Sequence, residues 1–117
     1  MSRGRPRVFC KSSLPSGVVG ICVALISDYN RREKEIKRGT INEDLLLSYK
    51  KYNEIVDLAA KHIEEDNKAE FISDIESGRG YRYSLLNREY TSPSYYSRKR
   101  DFIYQVAVGL ELAEKND

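Results

Sequence analysis

The chain has no tryptophan, one histidine, one methionine, two cysteines and three prolines in 117 residues. Each scarcity excludes something. Cys10 and Cys22, with eleven residues between them, match no zinc-ligand spacing and read as free thiols, as expected in a reduced cytosolic compartment. His62 lies among acids in a helical segment and reads as a surface residue rather than a general base. Gly78-Arg79-Gly80 is not followed by the rest of any nucleotide-binding fingerprint, and neither cysteine has a histidine in a nucleophile pattern. The chain is therefore expected not to be an enzyme and to use neither a metal nor a cofactor. The longest apolar run, residues 17–26, has ten residues, too few to span a bilayer, and no small-residue cleavage site follows it. It reads as core, with no membrane partner.

What is present is charge, unevenly placed. The net charge is only +2, yet residues 1–15 carry four bases and no acid, and residues 79–100 carry six bases against one acid. Residues 43–76 are acidic, as on solvated helix faces. Two local basic blocks in a nearly neutral chain favour a polyanionic partner, because binding needs a basic surface rather than a basic total. Nine tyrosines against three phenylalanines give rings that pack while still reaching water.

The apolar spacing predicts an all-α fold: a flexible basic arm over residues 1–16, then one helical domain over 17–117. A first helix is expected from about Ser16, carrying Val18, Cys22, Leu25, Ile26, Tyr29 and Ile36 at helical spacing and stopping at Gly39. Thr40-Ile41-Asn42-Glu43 reads as a capping box opening a second helix. There Leu45, Tyr49, Tyr52, Val56, Ala59 and Ile63 alternate spacings of four and three, the seam either of a hairpin with the first helix or of a homodimer. Of these, Leu45, Val56 and Ile63 are expected to be buried against the first helix. Asp66-Asn67 breaks the pattern before a short third helix with Phe71, Ile72 and Ile75. Residues 77–80 form a loop.

A helix-turn-helix is expected at about 81–112: a short helix over 81–88, a turn, and a longer basic helix with Ser92 as N-cap and Pro93 at its first position. Tyr95, Phe102, Val106 and Leu110 share one face. Ser94, Tyr96, Ser97, Arg98, Lys99 and Arg100 are then the candidate DNA-contacting residues, with Arg98 or Arg100 able to take guanine O6 and N7 in a bidentate pair. At the other end, Arg3-Gly4-Arg5-Pro6-Arg7 is similar to the core of an AT-hook. Arg3, Arg5 and Arg7 either enter a narrow minor groove or act as a plain basic tail on phosphates.

Over residues 17–113 the chain resembles phage late-gene transcription regulators of the ArpU/RinA type, whose C-terminal part looks like the sigma-factor region 4 helix-turn-helix. The likeness rests on Leu25-Ile26-Ser27-Asp28-Tyr29 with the charged stretch after it, the long middle helix, and the segment from Tyr90-Thr91-Ser92-Pro93 through Arg98-Lys99-Arg100-Asp101-Phe102-Ile103. Bulky Tyr95 and Tyr96 depart from it, as does Lys99. The resemblance implies promoter binding for phage structural or packaging genes without a cofactor, with double-stranded DNA as the partner and RNA polymerase as a second. A small terminase-like packaging subunit and a helical protein-interaction module are the competing readings.

Overall fold

The computed structural model describes residues 14–114, and these are all-helical. The expectations for Arg3, Arg5 and Arg7 and for Cys10 fall outside the described residues. Five helices follow in order: α1 (Ser16–Ser27), α2 (Tyr29–Arg38), α3 (Glu43–Ala60), α4 (Lys68–Ser77) and α5 (Ser92–Gly109). Leu14, just before α1, packs against the core.

The single first helix of the sequence reading is two helices broken at Asp28, which sits at φ −93°, ψ 3° between them. No proline or glycine marks this break. It is held from outside: Arg32, almost wholly buried, donates from Nη2 to the Leu25 carbonyl at 2.5 Å and from Nε to Asn53 Oδ1 at 2.6 Å. Asn53 in turn donates to the Tyr29 carbonyl and to Glu33. A side-chain donor at the end of α1 thus satisfies a carbonyl that a broken helix would leave open. The consequence is divergence. α1 packs its Val18, Cys22 and Ile26 stripe toward α4 and α5, while α2 runs antiparallel against α3.

Gly39 at φ 71° accepts the left-handed stop of α2, with its N–H bonded to the Glu35 carbonyl. The cap of α3 is Asn42, accepting from Leu45 N at 2.9 Å, and not the Thr40 of the expected capping box. The seam along α3 is rotated from the expected one. Asn53, Ile55, Val56, Ala59 and Ala60 are buried, whereas Leu45 and Tyr52 remain 38% and 37% exposed. α3 packs on both α2 and α5, and Ile55 and Ala59, which lie beside α5, belong to its C-terminal half. Ile63 lies past the helix end and is half-buried. Of Leu45, Val56 and Ile63, then, only Val56 is fully in the core.

α3 and α5 approach closely at Gly109, where an added Cβ would stand 2.7 Å from Ile55 Cγ2. Gly109→Ala should therefore cost about 1–3 kcal/mol by overpacking, with Ile55→Leu, which removes the clashing β-branch methyl, restoring part of it in urea melts. Phe102, fully buried on α5, should cost on the order of 3–5 kcal/mol when cut to alanine, while exposed Arg100→Ala should stay within about 0.5 kcal/mol in the same assay.

Candidate nucleic-acid interface

The segment before α5 is where the sequence reading needs its main correction. Residues 81–88 are not an α-helix but two short 3₁₀ turns, Tyr81–Tyr83 and Leu85–Arg88, separated by extended Ser84. The compact helix-turn-helix is thereby lost. Between α4 and α5 runs a strap, residues 78–91, that ties back on itself: Tyr81 Oη donates to the Asn87 and Tyr90 carbonyls at 3.1 and 2.6 Å. Leu85 carries its side chain into solvent, and with it goes the apolar stripe a docked helix would have needed.

The strap is anchored on Asp74, an acid within the apolar stripe of α4 and fully buried. Its Oδ2 accepts from Ser84 Oγ at 2.5 Å and from Tyr95 Oη at 2.9 Å. Oδ1 accepts no hydrogen bond and is offset by the Arg79 guanidinium, whose Nε lies 3.7 Å away. Ser84 Oγ also accepts from Leu86 N, capping the second turn. Burial, and next the hydrogen bond to Asp74, push the Tyr95 hydroxyl well above the usual tyrosine range. Beside it, the Phe71 and Tyr95 rings stack at 5.6 Å. The bulk of Tyr95 is thus absorbed into the core.

α5 begins at Ser92 with Thr91 as N-cap, accepting from Ser94 N at 3.3 Å, one residue earlier than expected. Its apolar phase is as expected: Tyr95, Phe102 and Val106 are fully buried, and Leu110 packs at the core edge. The candidate contact residues meet different fates. Arg100 is exposed on the outer face. Half-buried Ser94 accepts from Arg98 Nη1 at 3.2 Å, while Arg98 also lies 4.9 Å over the Tyr90 ring and 3.5 Å from Glu64 Oε1. Ser97 lines a polar cleft with Arg98, Asp101, His62 and Glu64. Tyr96 accepts from the Tyr81 N–H at 3.1 Å, and Lys99 donates to the Arg79 carbonyl at 3.5 Å. The strap therefore occupies polar atoms of Tyr96 and Lys99, and only Arg100 keeps its charge wholly outward.

Sequence reasoning passed over Arg82, Tyr83, Leu85 and Arg88, all exposed on the strap. A helix over 81–88 would have scattered them round its faces. Asp74 was passed over too, although its place among Phe71, Ile72 and Ile75 marked an acid on an apolar face. No cluster of three or more metal-ligating side chains occurs among the described residues, nor any helix long and apolar enough to cross a membrane. Compared with protein-family models, curated proteins and solved structures, the chain matches none.

The raised tyrosines make a pH prediction. Tyr95, Tyr29 and Tyr90 all sit above their usual range, chiefly through burial, and the same cause lifts the Cys22 thiol to about 11. The stability they contribute is fully present below the unfolded-state values and is lost as pH rises through the folded ones. Unfolding followed by circular dichroism should accordingly set in above about pH 10, together with tyrosinate absorbance. Tyrosinate appearing in full while the helices persist would contradict the burial of these hydroxyls.

Proposed function

We propose that this protein is a DNA-binding transcription regulator that uses the N-terminal half of α5 as its reading helix, as the ArpU/RinA-type resemblance implies. One observation carries the reading. Tyr95, Phe102 and Val106 clamp α5 rigidly to the core, and that phase leaves Arg100 and the outer edge of Tyr96 facing solvent, with exposed Arg88 just before the helix cap. A rigid helix with outward cations suits phosphate positioning and base-edge contact, which loop-borne charges hold less well. The partner on this reading is double-stranded DNA, with RNA polymerase as the second partner of a promoter-bound regulator and a homodimer as the assembly to be tested by light scattering.

A second reading, the helical interaction module, is favoured by the apolar groove between α3 and α5, where Leu58 is exposed beside Ile55, Val108 and Gly109. Salt-dependent duplex binding separates the two. On the first reading, replacing Arg88 and Arg100 by alanine should weaken duplex binding and lower its salt slope by about one unit each, without altering the melt. A folded double variant with unchanged affinity and slope removes α5 as the reading helix.

A further inference from the structure

Tyr83 and Leu85 are the two most exposed large apolar side chains among the described residues, each 70% open to solvent. They do not sit on a loose loop. Between and after them Ser84 and Leu86 turn inward and are buried, Ser84 held by Asp74 and Leu86 by the core. This in-and-out alternation forces Tyr83 and Leu85 outward together. The strap is braced further by the Asn87 side-chain amide on the Arg82 carbonyl, the Tyr83 N–H on the Gly80 carbonyl, and the Tyr81 hydroxyl at its far end.

The nearest charges that the strap itself carries on either side of the pair are positive. No acid occurs between residues 77 and 88, Arg82 lies over the Tyr83 ring at 5.6 Å, and Arg88 is exposed three residues past Leu85. A protruding apolar pair flanked by arginines matches the layout of a duplex step, where an apolar base stack lies between phosphates. Two side chains offer far less than the roughly 800 Å² per partner that a stable protein interface buries.

We infer that the strap is a wedge for duplex DNA, with Tyr83 and Leu85 entering a base step while Arg82 and Arg88 take the flanking phosphates. The inference rests on the proposed DNA-binding function and adds a second contact that α5 does not supply. Flexible pyrimidine–purine steps, which unstack most easily, are the favoured targets. Asp74 gives the wedge its stiffness through Ser84, so it enters the DNA already shaped.

The test uses the full chain and a duplex carrying 2-aminopurine beside a central TA step, at low salt. Bound wild type should raise 2-aminopurine emission by unstacking the step. The double variant Tyr83→Ala, Leu85→Ala should bind roughly five- to 150-fold more weakly, the range expected for lost base contacts, and should give no emission rise when saturated. Tyr83→Phe should keep the rise, and Arg100→Ala should weaken binding yet keep it. Both wedge side chains are exposed, so a melt matching wild type accompanies the double variant. If bound wild type leaves emission unchanged, the wedge is overturned while the reading helix stands. If wild type binds no duplex, both fall. Binding to phosphatidylserine vesicles in place of duplex also overturns the wedge and assigns the strap to an anionic lipid surface.

Discussion

The buried carboxylate of Asp74 is the constraint on which the C-terminal half of the molecule depends. Removing a charge from water costs several kcal/mol, and here two hydroxyl donors and a nearby guanidinium offset that cost. The three partners come from two elements: Arg79 and Ser84 from the strap, and Tyr95 from α5. One side chain therefore orients the strap against both helices. Because Tyr95 is also stacked on Phe71, the polar node and the aromatic core lock the same ring, and α5 has a single docking phase.

A second polar node does the same for the N-terminal half. Arg32 and Asn53 bind each other, the end of α1 and the start of α2, so a break that no local residue demands becomes the stable geometry. Beside it, Tyr29 donates to Asp57 at 2.7 Å, and Lys68 at the start of α4 reaches the same carboxylate at 2.8 Å. These nodes couple the α2–α3 pair to α4. α5 and the strap, which bear the proposed DNA surface, thus stand on a frame set by few polar contacts, each specific in direction where apolar packing is not.

The same packing selects which charges face outward. Six bases crowd residues 79–100, but Arg98 turns to Glu64 and Tyr90, Lys99 to the Arg79 carbonyl, and Arg79 to Asp74 and two serines. Arg82, Arg88 and Arg100 remain outward. A basic block in a sequence counts charges without saying where they point. Here half of the block serves the fold and the other half gives the outer surface its sign.

Local physics made much of this legible in advance. The helical stripe of Val18, Cys22 and Ile26, the glycine stop at residue 39, the short helix around Phe71, Ile72 and Ile75, and the buried phase of Tyr95, Phe102 and Val106 follow from spacing and capping chemistry, which act within a turn or two of the chain. The rest depended on partners far away in sequence. The break at Asp28 answers to Asn53, 25 residues on, and the rotation of the α3 seam to Gly109 and α5. The replacement of a helix over 81–88 by two turns answers to Asp74, whose pull on Ser84 outweighs a modest helical preference. By itself the sequence determined the helical class, most of the helix positions and the inward face of α5, because periodicity and caps are local. Only the tertiary structure decided where the helices break, which arginines remain free and which apolar side chains are thrust outward, because those depend on hydrogen bonds and close contacts between segments that meet only after folding.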